Sequence, residues 1–249
     1  MNDHALAADL AAAAAALLRE LRVGSGLAGR DLGAEGDRRA HELLARRLTD
    51  ERPDDALLSE EGRDDAARLG AERVWIVDPL DGTREYGEDG RTDWAVHVAL
   101  WERGDLVAGA VALPALDVVL ATPEVRPPPP ADASAAPRIV VSRSRPPQVA
   151  TDVADALGGE LVEMGSAGAK TAAVVRGEID VYLHAGGQYE WDSAAPVAVA
   201  LAAGLHASRL DGSPLVYNQP DPYLPDLVVC RAEQADRVLS AVAAAASAG

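Results

Sequence analysis

Phenylalanine is absent from the chain, and cysteine occurs once, at Cys230. A single thiol excludes an intrachain disulfide and a thiolate metal cluster, and it suits a reducing cytoplasm. Lysine also occurs once, at Lys170, so arginine carries nearly all of the positive charge. Basic residues are in deficit: 23 Lys+Arg face 40 Asp+Glu, for a formal net charge of −17. A field of that sign repels nucleic acid polymers and anionic membrane surfaces. It still admits a small anionic substrate where a metal or local cations reverse it. No apolar run reaches membrane-spanning length. The run Ala11 to Ala16 is preceded by Asp3 and Asp9 and lacks a basic leader, so it reads as an amphipathic helix rather than a signal peptide.

What is present is ordinary for a soluble globular protein: 249 residues, 48% hydrophobic and 25% charged. That length suffices for one large domain or two small ones. Periodicity predicts helices over 3–22 and 36–49. The second is opened by Asp37 in the place of an N-cap. ALLSEEG (56–62) is a short apolar run ending in acids, and RVWIV (73–77) reads as a buried strand. From Trp94 to Thr122 the pattern is an antiparallel meander. The Pro- and Ala-rich stretch 123–137 separates this region from the next and places a linker at 126–137, with lobes 1–125 and 138–249. Beyond it, strands at 138–142, 160–164, 180–184 and 226–230 alternate with helices at 146–157, 167–176, 192–204 and 232–247. The fold class is therefore α/β, with an α+β N-terminal lobe and an α/β C-terminal lobe.

The chemistry concentrates in RVWIVDPLDGTREYGE (73–88). Pro79 removes a ladder donor, so the strand is expected to stop at Val77, and Gly82 allows a tight turn. Loops beyond the C-terminal ends of strands are where layered α/β folds bind ligands. Asp78 and Asp81 repel each other there unless a divalent cation lies between them, and an all-oxygen donor set points to Mg²⁺. The backbone N–H groups of Gly82 and Thr83 would receive a phosphate oxygen if they open a helix. Glu60-Glu61 taken alone is a solvated loop. Asp192, ahead of an Ala/Val-rich helix, is by default an N-cap, a role compatible with cation binding. GSAGAKT resembles a phosphate-binding P-loop only superficially: the two required glycines are replaced by Ala169 and Met164, which excludes that reading. Segment 85–93 is polar and Gly-containing, either a mobile flap or a plain loop.

SEE, DPLDGT and WDSAAP, in this order and at these separations, resemble the inositol monophosphatase superfamily of Mg²⁺-dependent, lithium-sensitive phosphatases. DPLDGTREY, VSRSR, GSAGAK and EWDSAAP further resemble its CysQ-type 3′(2′),5′-bisphosphate nucleotidases. The resemblance implies a five-layered α/β/α/β/α sandwich and, commonly for the family, a homodimer. It implies two or three Mg²⁺ ions held by Glu60, Asp78, Asp81, Asp192 and the Leu80 carbonyl, with Li⁺ as inhibitor. Thr83, partnered by Asp37, would activate the attacking water, and no covalent phosphoenzyme forms. Substrate contacts fall on Glu60, Leu80, Asp81, Gly82, Thr83, Arg84, Ser166, Lys170 and Asp192. The superfamily's inositol-binding acid, seven residues before Asp192, is replaced by Ala185, which leaves room for a nucleoside. Lys170 is either a compact ammonium needed in the pocket or a chance residue on a solvated helix. Arg84, Arg143 and Arg145 are candidates for a second phosphate and, singly, surface residues. The implied activity is hydrolysis of 3′-phosphoadenosine 5′-phosphate, and also of its sulfated analogue, in sulfate assimilation. The rivals are a broad inositol-1-phosphate or fructose-1,6-bisphosphate phosphatase and a catalytically silent nucleotide- or metal-binding regulator.

Overall fold

The computed structural model describes residues 1–131 and 135–248. Helix α1 (Asp3–Gly24) starts where the Asn2 side chain accepts from the Ala5 N–H at 2.8 Å, satisfying one of the orphan donors of its first turn. Leu6, Leu10, Leu18 and Leu21 form its buried stripe, with Ala7, Ala11, Ala14 and Ala15 between them. Helix α2 (Gly29–Glu51) begins earlier than expected, with Ala28 rather than Asp37 in the capping position. The glycines that mimic a breaker serve close packing instead. A Cβ at Gly33 would lie 2.6 Å from Thr83 Cγ2, and one at Gly36 would lie 2.8 Å from the Tyr86 ring. Both contacts are to α3 (Thr83–Gly87), the short helix after the acidic loop. Asp37 is consequently a buried residue inside α2.

The first sheet follows chain order: β1 (Ala56–Ser59), β2 (Arg73–Asp81), β3 (Ala95–Glu102), β4 (Asp105–Leu113) and β5 (Val118–Ala121). β1 runs parallel to β2, and β3 to β5 form the expected antiparallel meander, which β2 joins antiparallel to β3. β2 does not end at Val77. It continues through Pro79, and its register on β3 slips between the pairs Asp78↔His97 and Asp81↔Ala95. The irregularity absorbs the missing proline donor and turns the strand end, as bulges do beside functional sites.

The second sheet is built from β6 (Arg138–Ser142), β7 (Glu160–Met164), β8 (Val181–Tyr189), β9 (His206–Ser208) and β10 (Tyr223–Cys230), in the order β7-β6-β8-β10-β9. β6 pairs in parallel with β7 and β8, whereas β10 is antiparallel to both its neighbours. Helices α4 (Gln148–Leu157), α5 (Ala167–Val175), α6 (Glu190–Ala202) and α7 (Ala235–Ala248) complete the chain. β9 and the 3-10 turn Ala66–Gly70 carried no sequence signal. Of the expected linker 126–137, which joins β5 to β6, residues 132–134 lie outside the described residues.

Among the described residues, three apolar cores hold the layers together. One lies between α1/α2 and the first sheet, and one lies between the second sheet and α4/α7. The largest fills the space between the two sheets, where α5 and α6 are sandwiched. Small residues set that spacing: a Cβ on Gly109 of β4 would lie 2.6 Å from the Ala198 methyl of α6. The result is the α/β/α/β/α arrangement. It brings the end of β2, the start of α3 and the N-termini of α5 and α6 to one place.

Candidate active site

The β2 irregularity aims both aspartates into this convergence. Asp78 Oδ1 accepts from the Leu80 N–H at 3.0 Å. Asp81 Oδ2 accepts from Ser166 Oγ at 2.5 Å and from the Gly168 N–H at 2.7 Å, and His97 Nε2 lies 3.2 Å away. Asp192 is the third residue of α6 rather than its N-cap, which is Tyr189. Its Oδ2 accepts from the Tyr189 N–H at 2.7 Å, so it still satisfies an orphan donor of that helix. Carboxylate oxygens of Asp78, Asp81 and Asp192 lie within 4.8 Å of one another.

Such crowding acts on protonation. Burial, then the charges of Glu60, Asp81 and Asp192, hold Asp78 well above the ordinary carboxylate range. Burial and the Asp81 charge push Asp192 up to about 7. Glu60 follows β1 and is exposed at the mouth of the cluster. Partial enclosure of its carboxyl, with the charges of Asp37, Asp81 and Glu61, pushes it up to about 7. Asp81 is the exception. Its own burial works against ionisation, but His97, Lys170 and the Ser166 hydroxyl outweigh it and hold the group at about 2. Repelling carboxylates on an all-oxygen framework are what a divalent cation offsets, and hard oxygen donors match Mg²⁺. The residues present therefore fit that ion.

Beyond Asp81 the backbone turns at Gly82, whose φ of 87° lies in the left-handed region. A Cβ there would also crowd the Ser166 Cβ at 3.1 Å. Thr83 then opens α3. Its Oγ1 lies 3.2 Å from both Asp37 Oδ1 and the Leu80 carbonyl, each an acceptor for its proton. Burial and the Glu61 charge push Asp37 up to about 7. The two residues from separate helices thus meet as expected.

Three of the four cationic candidates, Arg84, Arg143 and Lys170, are engaged with protein groups, whereas Arg145 is exposed. Arg84 is exposed and pairs with Glu88 at 3.0 Å. Arg143 donates to Glu85 at 2.6 Å and to Glu88 at 2.8 Å, tying the loop after β6 to α3. Lys170 is buried, and its Nζ donates to the carbonyls of Gly165 and Ser166 while lying 5.2 Å from the Tyr182 ring centre. Ser166 caps α5, accepting from the Ala169 N–H at 2.9 Å, while its hydroxyl proton goes to Asp81. Two contributors were not singled out in the sequence. His97 is fully buried, with Nδ1 3.0 Å from the Trp191 carbonyl. Asp93 accepts from the Gly165 N–H at 2.6 Å. The signal for His97 was a histidine at an inward position of an otherwise apolar strand beside β2.

With this geometry in hand, similarity to known proteins is informative. A family model described as inositol monophosphatase family matches residues 3–246. The 3′-phosphoadenosine 5′-phosphate phosphatase of Mycobacterium leprae is 53% identical, over 97% of this chain and 94% of the relative. The 3′(2′),5′-bisphosphate nucleotidase CysQ of Escherichia coli K12 is 30% identical, over 74% of this chain and 79% of its own. Among solved structures, CysQ from Bacteroides thetaiotaomicron superposes with a TM-score of 0.79 at 30% identity, covering 92% of this chain and 97% of that one. SuhB of Mycobacterium tuberculosis gives 0.75 at 27% identity, over 96% and 94%.

Proposed function

The chain belongs to the inositol monophosphatase family, and from that premise we propose that it is a Mg²⁺-dependent phosphatase hydrolysing 3′-phosphoadenosine 5′-phosphate to AMP and phosphate. The observation that carries the reading is the triad Asp78, Asp81 and Asp192 in a chain 53% identical to a phosphatase named for that nucleotide. The sulfated analogue is a second substrate, and the role is removal of nucleotide by-products of sulfate assimilation.

In this reading Glu60, Asp78, Asp81, Asp192 and the Leu80 carbonyl hold two or three Mg²⁺ ions. When bound, such ions neutralise phosphate charge, acidify a water and favour departure of the leaving oxygen. The chain's residues prepare that chemistry. Asp81 stays ionised because His97, Lys170 and Ser166 stabilise its charge. Thr83 Oγ1, its proton directed to Asp37 or to the Leu80 carbonyl, offers a lone pair that orients the attacking water. Gly82 lets the backbone approach the phosphate closely. Lys170 serves the substrate site from beneath, by holding the Gly165–Ser166 backbone. Cys230 takes no part: it is buried in β10, and burial pushes its thiol up to about 12.

Ala185 supports the nucleotide over inositol, since no carboxylate stands there to hold sugar hydroxyls. The same proposal includes inhibition by Li⁺, a homodimer, two lobes meeting at 126–137, and a cytoplasmic location. Among the described residues no helix is long and apolar enough to cross a membrane. The test is phosphate release from 3′-phosphoadenosine 5′-phosphate, inositol 1-phosphate and fructose 1,6-bisphosphate, with Mg²⁺ and with added Li⁺. A higher kcat/KM for the nucleotide, lost with Li⁺, is expected. Equal rates on all three overturn the substrate assignment, and no release overturns the enzyme.

A further inference from the structure

Aromatic side chains are scarce here: four tryptophans, five tyrosines and no phenylalanine. Tyr86, Tyr182 and Tyr217 are buried, whereas Tyr189 and Tyr223 are 42% and 45% exposed. These two exposed rings are not scattered. They are paired across β8 and β10 and meet edge to face, centroids 5.9 Å apart and planes at 82°. Trp191 backs Tyr189 in a near-parallel stack, centroids 4.9 Å apart and planes at 10°.

Their position gives the cluster a use. The Tyr189 N–H donates to Asp192 Oδ2 at 2.7 Å, so the ring is rooted one hydrogen bond from the carboxylate cluster. Just upstream, Gly186 and Gly187 have φ of 93° and 81°, and a Cβ on either would meet nothing within 4 Å. The strand therefore presents open space beside the aromatic pair. A flat, uncharged ring system attached to a phosphorylated sugar matches this layout: phosphate toward the carboxylates and their cations, π-face toward the tyrosines. Aromatic surface left exposed beside a site is itself a mark of ligand contact.

We propose that Tyr189 and Tyr223, with Trp191 behind them, form the platform on which the purine base stacks, and that this platform sets the preference for a nucleotide. The inference rests on the phosphatase reading above. Stacking of one base on an aromatic side chain corresponds to roughly a 5- to 100-fold change in affinity.

The experiment compares kcat/KM for 3′-phosphoadenosine 5′-phosphate with that for ribose 3,5-bisphosphate, which carries the same phosphates and no base. The wild-type ratio is expected to favour the nucleotide. Tyr189→Ala with Tyr223→Ala lowers the ratio by roughly 5- to 100-fold, mainly through KM, and Tyr189→Phe retains it. An unchanged ratio in the double variant overturns the platform. AMP titrated against tryptophan fluorescence supplies a readout independent of turnover. Quenching in the wild type that weakens in Tyr189→Ala supports the platform even if no phosphate is released, in which case only the catalytic reading falls. No quenching in the wild type overturns the platform even if turnover is found.

Discussion

Ser166 Oγ donates to Asp81 Oδ2 at 2.5 Å, joining the start of α5 to the end of β2 across 85 residues of chain. The bond is one of three contacts on that oxygen, beside the Gly168 N–H and His97 Nε2. A carboxylate held this way is aimed before any cation arrives, and such supporting contacts typically change metal affinity by 10- to 100-fold. Ser166→Ala is expected to weaken Mg²⁺ activation by about 10-fold while the fold is kept. Activity titrated against Mg²⁺ measures it. An unchanged midpoint would show that Gly168 and His97 suffice.

The Thr83–Asp37 contact predicts a different kinetic signature. Thr83→Ala removes the oxygen that orients water and leaves the carboxylates in place. A drop in kcat of roughly 100-fold or more is expected, with little change in KM or in Mg²⁺ midpoint. Thr83→Ser keeps the hydroxyl and restores most of the rate. Equal losses in both variants would place the importance of Thr83 in its methyl, which packs against Gly33, rather than in its hydroxyl.

Chelation should be visible as stability. Without cations the cluster keeps mutually repelling carboxylates close together, which is why Asp78 and Asp192 are displaced upward. Mg²⁺ is expected to raise Tm, and EDTA to lower it, since any ligand that binds only the folded state stabilises it. Asp78→Asn removes one charge, so it should melt higher than the wild type in EDTA and gain less from Mg²⁺. Calorimetric scans of both proteins in both buffers decide it. A variant that melts lower in EDTA would mean that the carboxylate charge, which strengthens the hydrogen bond Asp78 accepts from the Leu80 N–H, outweighs the repulsion.

Much of this was legible in the sequence. Strands 138–142 and 160–164 were placed at their observed ends because each is a short, bounded segment. The acidic constellation was legible because Asp-Pro-Leu-Asp-Gly-Thr after an apolar strand has few other uses. The misreadings share a cause, which is tertiary contact overriding a local rule. Pro79 did not stop β2, because a register irregularity took up its missing donor. The helix expected from residue 36 runs instead from Gly29, with Gly33 and Gly36 inside it where α3 packs too close for any side chain. His97 stayed hidden within a strand that alternation already explained. For Lys170 the sequence left a pocket ammonium and a solvated one open. Burial against two carbonyls excludes the solvated one, and only the folded turn at Gly165–Ser166 reveals those partners.

One group outside the metal cluster gives a pH dependence of definite sign. His184 on β8 is mostly enclosed. Burial first, then the charges of Lys170 and Arg145, lowers it from 6.5 to about 4. The folded state thus favours neutral imidazole while the unfolded chain protonates near 6.5. The stabilisation is fully present above 6.5 and is lost progressively as pH falls from 6.5 to about 4. At about 1.4 kcal/mol per pH unit the loss approaches about 3 kcal/mol. Glu60, Asp37 and Asp192 pull the other way, because their raised values let the folded state bind protons first as pH falls from 7. Comparison with His184→Gln cancels those carboxyls. The difference in unfolding free energy between wild type and variant should shift by up to about 3 kcal/mol, to the wild type's disadvantage, between pH 7 and pH 4. Denaturant melts across that range measure it, and a difference that does not move with pH would show that His184 keeps its ordinary protonation in the fold.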